Sequence, residues 1–483
     1  VTSYSYGAVF NMMTSMTDAN GRTTTYQYDA RGNRVKQTDP LLGVREWTYD
    51  ARGNVLSEKD RNGNLTTYLY DAFGNRTRMT DAVGKVTTMA YDAVGNVITR
   101  TNARGFTTTY QYDGLNRLVK ETDALGKITQ TAYDGQGNQV QVIDRNGNAT
   151  SYQYDQRQRL VRTTDALGQS STAAYDGNNN RSAATDRNAN GTSFQYDVQN
   201  RPTTATDAIG NVTTMAYDAV GNKLSDRDAN THSTAYQYDA LDRMVRKTDA
   251  VANVTLLVYD TVGACPACTG PTKGSRLVTQ QTDAEGKVTY FKYDALDRAI
   301  IVNRKQTDSA DAIDGDDAVT RYSYDAHSNR TNLTEPNGNV TNYVYDALNR
   351  QVKMTNAAGD VTMTTYDPVS NIAGVTTPNL NVTTYTYDAL DRRTRVDDSV
   401  GLVATASYDN VGNQLSQQDG NTNGSTTGYD AIYRITDVTD ALGKTTHYAY
   451  DPVGNLLTTS DRENNATSSI YDNINRRTQT TDA

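Results

Sequence analysis

The chain has 483 residues, only 36% of them hydrophobic, with 34 Tyr against 5 Phe and one Trp, and a formal charge of −9. An average globular domain carries roughly 45–50% apolar residues, Gly included, so this composition excludes a thick apolar interior and suits a thin wall packed by tyrosine rings. The acidic balance argues against nucleic acid, which wants a clustered basic face, and no run approaches the roughly 18 apolar residues of a membrane-spanning helix.

Near the start, Tyr6-Gly7 reads as a worn anchor 22 residues before Tyr28. Val1 opens without a charged-then-apolar leader. From Tyr28-Asp29 a Tyr-Asp pair recurs every 21 residues: Tyr49, Tyr70, Tyr91-Asp92, Tyr112-Asp113, Tyr133-Asp134, Tyr154, Tyr175, Tyr196, Tyr217-Asp218, Tyr238-Asp239 and Tyr259. Tyr293 follows alone after a longer interval. The step then resumes at Tyr324 and runs through Tyr345-Asp346, Tyr366, Tyr387-Asp388, Tyr408, Tyr429, Tyr450-Asp451 and Tyr471. A fixed period of this length marks a repeat array rather than a mosaic of globular domains. The expected organisation is an array over residues 1–260 with a degenerate first unit, a stretch over 261–323 carrying two insertions, and an array over 324–483. Thr481-Asp482-Ala483 stops in mid-unit and neither end looks like a polar cap, so a segment of a longer protein is expected.

Within one unit, Tyr112 to Ala132, the pattern predicts two strands and two turns. Gly114-Leu115-Asn116-Arg117 has turn chemistry, Leu118 to Thr122 has strand chemistry, Asp123-Ala124-Leu125-Gly126 turns again, and Lys127 to Tyr133 returns. Gly at the second turn (Gly84, Gly126, Gly168, Gly210) supplies a positive φ, and the Asp that opens it can bond the backbone two residues on. No helix fits. In Tyr26-Gln27-Tyr28 and Tyr152-Gln153-Tyr154 both rings fall on one face, which predicts ladders of cross-strand aromatic pairs. About 44 strands at roughly 4.8 Å spacing would make a ribbon on the order of 200 Å long, and a ribbon of that length is expected to coil.

From Tyr91 the units alternate between two forms, which implies a 42-residue building block. One ends its first turn in Gly or Ser then Asn, as at Tyr91, Tyr217 and Tyr450. The other carries Arg five residues after Tyr: Arg117, Arg243, Arg298, Arg350, Arg392. Pairing with a motif Asp is the structural role expected of this Arg.

The motif Asp81-Ala-Val-Gly84-Lys-Val-Thr87…Tyr91-Asp92 closely resembles the YD or RHS repeat, over almost the whole chain. The resemblance implies an all-β fold, a continuous antiparallel β-hairpin ribbon spiralling into a hollow shell or tube. In bacterial RHS and insecticidal toxin-complex proteins such shells enclose a toxic C-terminal polypeptide; in teneurins a similar shell belongs to a cell-surface adhesion protein. The residues from Tyr471 to Ala483 supply neither the core-associated segment with an aspartate self-cleavage motif nor the effector of the toxin pattern, so encapsulation and self-processing are expectations for the longer parent protein.

Residues with reactive potential are few. Cys265-Pro-Ala-Cys268 lies in the first insertion, and without a second ligand pair a zinc site is not built. A loop-stapling disulfide is the favoured reading; a free dithiol or half of an intermolecular site are the alternatives. Asp308, Asp311, Asp314, Asp316 and Asp317 in the second insertion read as a solvated acidic loop ahead of a calcium site, and Asp60-Arg-Asn-Gly-Asn64 and Asp144-Arg-Asn-Gly-Asn148 read as turns ahead of metal sites. The three histidines, His232, His327 and His447, sit in no nucleophile motif. The expectation is therefore a non-catalytic structural shell segment of a secreted or cell-surface protein, with no cofactor, no bound metal, no nucleic acid and no membrane span. Its expected partners are neighbouring repeats of the same chain, and an enclosed polypeptide cargo or a cell-surface receptor or glycan; self-assembly into a filament is a further expectation. The alternative is an extracellular fibre or adhesion module that binds glycans or proteins.

Overall fold

The computed structural model describes residues 2–8, 11–18, 21–259, 277–306 and 312–483. Among them are 44 β-strands and no helix. Strands of about six residues that end in the motif Tyr, such as Thr107–Tyr112, alternate with strands of about five, such as Leu118–Thr122. Each hydrogen-bonds antiparallel to its neighbours in sequence: Tyr110 faces Glu121, and Glu121 in turn faces Thr129. The all-β hairpin ribbon expected from the repeat is the fold the chain adopts.

A β-bulge recurs at the motif Tyr of successive units. Gln111 opposes Lys120 but Tyr112 opposes Leu118, so Val119 is the extra residue, and the same shift falls between Ala132 and Tyr133 and between Gln153 and Tyr154. Bulges sharpen the right-handed twist of a strand pair, so a bulge in these Tyr-Asp hairpins, but not in the hairpins between them, supplies curvature at regular intervals.

The chain divides into two units. The first comprises Val1–Tyr91, Thr101–Gly105 and Thr234–Asn381; the second comprises Asp92–Arg100, Phe106–Ser233 and Val382–Ala483. The boundaries expected at 260 and 323 follow the insertions, whereas both units gather segments distant in sequence.

Burial is shallow. Among the described residues, the buried apolar side chains are Trp47, Val288 and Val319. In a strand such as Thr107–Tyr112 exposed and half-buried residues alternate strictly, with Tyr110 and Tyr112 on the half-buried face. Among the described residues the expected aromatic ladder does not form as directly opposed pairs. Tyr26 opposes Gln37, Tyr152 opposes Thr163 and Tyr236 opposes Lys247. A short strand separates successive tyrosine-bearing strands, so their rings lie two strand spacings apart, roughly 10 Å, beyond direct cross-strand contact.

Candidate functional site

The repeat places its polar chemistry in the turns, which form the two edges of the ribbon. At the Tyr-Asp turn the Asp113 N–H donates to the Arg117 carbonyl (3.0 Å) and the Asn116 N–H to the Asp113 carbonyl (3.0 Å). Asp113 Oδ1 accepts from the main-chain N–H of Leu115 (2.8 Å) and Arg117 (3.0 Å). This is a type I turn closed by a left-handed residue, and one carboxylate satisfies the donors that the turn leaves over. Asn116 takes the left-handed position with φ of 61°. At the opposite edge Asp123 builds the same turn, with Gly126 at φ of 76°. Gly84, Gly168 and Gly210 occupy the same place at 79°, 78° and 85°.

The two repeat forms differ in how they reach the following Tyr-Asp turn. In the Arg form, Arg117 Nε donates to Asp113 Oδ2 (2.7 Å), another of its guanidinium nitrogens donates to the carbonyl of Asp134 (3.0 Å), and its plane lies 4.7 Å from the centre of the Tyr133 ring. Arg159, Arg201, Arg350 and Arg392 repeat the ion pair, the carbonyl contact and the ring contact. In the Asn form, Asn138 Nδ2 donates to Asp134 Oδ2 (2.9 Å). Asn96 and Asn180 add a bond to the left-handed residue of the next turn, Asn116 at 3.0 Å and Asn200 at 2.8 Å. The carboxyls of Asp113 and Asp155 are held below the usual range, chiefly by the side-chain hydrogen bonds from Arg117 and Arg159. Those of Asp29, Asp50 and Asp134 are lowered chiefly by Asn33, Asn54 and Asn138.

The motif tyrosines fasten the same edge. Tyr28 donates its hydroxyl to the carbonyl of Met13, Tyr91 to Arg76, Tyr112 to Val97, Tyr133 to Leu118 and Tyr345 to Arg330, each 15 residues back and 2.8–3.1 Å away. Tyr217 and Tyr450 lie beneath Arg201 and Arg434 at 4.7 and 4.9 Å. Asp239, Asp346 and Asp388 pair with Arg243, Arg350 and Arg392; Asp92, Asp218 and Asp451 hold Asn96, Asn222 and Asn455. Burial pushes the hydroxyls of Tyr324 and Tyr366 above their ordinary range.

Sequence reasoning missed the ion pairs along the opposite edge. Arg61, Arg145, Arg187 and Arg462 each lie within 3.2 Å of the carboxylate of the turn 22 residues earlier: Asp39, Asp123, Asp165 and Asp440. The first three of these carboxylates are buried. The Asp-Arg-Asn spelling at Asp60, Asp144 and Asp186 was the available signal.

Within each unit the two edges also meet. In the first, Asn62 Nδ2 donates to Asp325 Oδ2 (3.1 Å), 263 residues on, and Arg104 Nε lies 3.6 Å from Asp367 Oδ2, at the same separation. In the second, Asn146 Nδ2 donates to Asp409 Oδ2 (3.0 Å) and Asn188 Nδ2 to Asp451 Oδ2 (2.9 Å), both again 263 residues on. Donors and acceptors both advance by 42 residues. Every acceptor belongs to an Asn-form Tyr-Asp turn. The 42-residue block is thus the repeat length of a seam.

The acidic stretch of the second insertion is not simply solvated. Lys305, its side chain almost wholly buried, donates to the Ala312 carbonyl (2.8 Å), Asp314 Oδ2 (3.0 Å) and Asp317 Oδ2 (2.8 Å), and Asn303 adds a bond to Asp317 (2.9 Å). Burial alone would raise the Asp317 carboxyl, but the bonds from Lys305 and Asn303 and the Lys305 charge outweigh it, and it falls to about 2. Asp314, Asp316 and Asp317 cluster closely, and the ammonium supplies a positive charge to that cluster. Asp308, Asp311, Cys265 and Cys268 lie outside the described residues.

The RHS repeat model matches residues 10–41, 49–86, 91–128, 133–170, 175–212, 196–230, 217–254, 324–361, 366–403 and 429–467, well over half of the chain. No curated protein matches it as a relative. Among solved structures it is similar to a chain of the Photorhabdus luminescens Tc holotoxin pore, with a TM-score of 0.74 at 14% identity. It is similar also to TcdB2-TccC3-TEV, with a TM-score of 0.62 at 14% identity. All of this chain is covered in both comparisons, but only 35% of the other chain, so it spans about a third of the length of these structures. At this identity the likeness is one of fold. By the repeat model and by the hairpin ribbon it forms, the chain belongs to the RHS repeat family.

Proposed function

We propose that the array is a non-catalytic wall segment of a secreted or cell-surface RHS protein, and that the wall encloses or displays a polypeptide. The observation that carries this reading is the seam: within each unit one edge of the ribbon meets the other through contacts 263 residues apart. A strip whose two rows of turns meet from one winding to the next is a wall rather than an open ribbon. Leu69, Ile128, Val258 and Val344 are exposed on the face opposite the motif tyrosines. The fold-level likeness to Tc toxin structures is consistent with a container. In this reading the Tyr-Asp pairs and turn glycines are structural anchors, Cys265 and Cys268 form a disulfide that staples the first insertion, and catalysis belongs elsewhere.

Protease protection tests the enclosure. The protein isolated from its native source is treated with a broad-specificity protease while the wall remains intact. A co-purifying or covalently continuous polypeptide that resists digestion until the wall is unfolded supports the reading. A polypeptide cut at the rate of a free chain contradicts enclosure and leaves display, and the absence of any such polypeptide contradicts the reading altogether.

A further inference from the structure

Among the described residues, ten consecutive strands of the first unit, from Met244–Thr248 to Val361–Tyr366, contain no Asp or Glu. The chain as a whole carries a charge of −9, so this strip departs from it. On the face opposite the motif tyrosines the strip presents Arg246, Lys292, Arg321 and Lys353; Lys292, for one, immediately precedes Tyr293, and strand side chains alternate. Each of the four stands directly across from an aliphatic side chain. Arg246 opposes Leu256, Lys292 and Arg321 flank Ile301 from either side, and Lys353 lies between Val344 and Met363. Leu256, Val344 and Met363 are themselves 41%, 51% and 51% exposed, so the apolar half of each pair is open as well. Lys292, Arg321 and Lys353 make no ion pair or hydrogen bond among the described residues. On the other face of the same strip Arg330 is taken up by the ring of Tyr343, 5.0 Å away.

We infer that this face of the strip is a docking surface for an acidic polypeptide with apolar residues interleaved among its carboxylates. That the occupant is a polypeptide rests on the wall reading above; its charge and its apolar residues are set by complementarity to the strip. Neighbouring cations of the row lie two or three strands apart, roughly 10–15 Å, and the whole row spans roughly 40 Å, which about a dozen extended residues cover. A nucleic-acid strand carries a phosphate about every 3.4 Å and needs a denser row of cations. Its bases stack on aromatic rings, whereas the partners of these cations are aliphatic. The chain already sets a carboxylate on this face. Asn303, two residues beyond Ile301 in the same strand, donates to Asp317 Oδ2 at 2.9 Å.

The test is acetylation footprinting of the full chain with a small amine-reactive reagent, read residue by residue by mass spectrometry. The probe is an unstructured peptide repeating Glu-Ser-Leu-Ser, compared with versions that carry Gln or Lys in place of Glu. Without peptide, Lys292 and Lys353 should react, which shows that the face is reached. With the Glu peptide in excess their labelling should fall several-fold, while Lys247, opposite Tyr236 on the other face, keeps its rate. The Gln and Lys peptides should protect neither. Arg246→Gln/Arg321→Gln should restore most of the labelling at the same peptide concentration; Gln141 and Gln130 hold the equivalent strand positions, so the fold accepts the change. Labelling of Lys292 and Lys353 that is absent without peptide or unchanged by the Glu peptide would overturn the inference. So would equal protection by the Gln peptide, or protection by an oligonucleotide or phosphatidylserine vesicles alone. None of these results touches the wall reading, which stands or falls on protease protection.

Discussion

The Asn146 side-chain amide lies 3.0 Å from the Asp409 carboxylate, 263 residues further along the chain, and the Asn410 N–H donates back to Asn146 Oδ1 at 3.2 Å. The contact is reciprocal and links a second-type turn to a Tyr-Asp turn. It gives the 42-residue alternation of the sequence a mechanical meaning. A 21-residue period alone would build a ribbon; alternating the turn chemistry decides which turns of one winding face which turns of the next.

Arginine of the Arg form joins each turn to the next, and lysine cannot replace it. Arg159 makes an ion pair with Asp155, a bond to the Asp176 carbonyl at 3.0 Å, and a ring contact with Tyr175 at 4.7 Å. A planar fork serves all three, whereas an ammonium is a compact point charge. Arg159→Lys should cost about 1–2 kcal/mol locally. Amide exchange at Tyr175 and Asp176 should accelerate while repeats several units away keep their protection, because contacts in an array are local.

Removing a single motif hydroxyl tests the fastening of the edge. Tyr366 donates to the Gln351 carbonyl at 2.8 Å while its ring stacks against Arg350. Tyr366→Phe keeps the ring and should destabilise the flanking hairpins by about 1 kcal/mol. Urea-dependent exchange of the nearby amides would measure it, and no change would mean that water replaces the bond without loss.

The two turn types should answer oppositely to glycine chemistry. Gly126 sits at φ of 76° in open surroundings, so Gly126→Ala meets backbone strain and no clash, with a cost of about 1–2 kcal/mol. At Asn116, φ of 61°, Asn116→Gly should be close to neutral in backbone energy but should lose the Asn96 contact at 3.0 Å. Local exchange rates of the two variants against wild type would separate strain from lost bonding.

Acid should loosen the second insertion first in a narrow window. The Asp317 carboxyl is depressed from 3.8 to about 2, so the stability it contributes is fully present above the unfolded value and is lost as pH falls from about 4 toward 2. Asp317→Asn should remove that pH dependence and strand the buried Lys305 ammonium with one carboxylate fewer, weakening the insertion at neutral pH. Cleavage of the insertion by pepsin between pH 4 and 2, and by trypsin after Lys305 at neutral pH, followed for both proteins, would show it. Equal pH profiles would contradict the assignment.

The strands, the turns and the left-handed glycines were legible because period-two alternation and Asp-x-x-Gly chemistry are local. The pairing of Arg with the motif Asp was legible for the same reason, four residues apart in sequence, as Arg117 is from Asp113. The reach of that arginine to Asp134 was not legible, since it depends on the twist and bulge that bring successive turns together. Directly opposed aromatic pairs were not to be had, because a short strand stands between successive tyrosine-bearing strands: Tyr110 faces Glu121. The burial of Lys305 among the aspartates, and the 263-residue seam, arise from contacts between segments distant in sequence, which a single sequence does not register.

The most direct measurement of the account is a cross-link across the seam. Cys265 and Cys268 are replaced by Ser, and Asn146→Cys is combined with Asn410→Cys, a pair already joined by a backbone-to-side-chain bond of 3.2 Å. Mild oxidation should yield an intramolecular disulfide in most molecules, seen as faster migration on a non-reducing denaturing gel. The off-register pair Asn146→Cys with Ala389→Cys, displaced by two strand spacings or roughly 10 Å, should close far less. Failure of the 146–410 pair to close within one chain, or equal closure of both pairs, would contradict a ribbon whose edges meet in a fixed register.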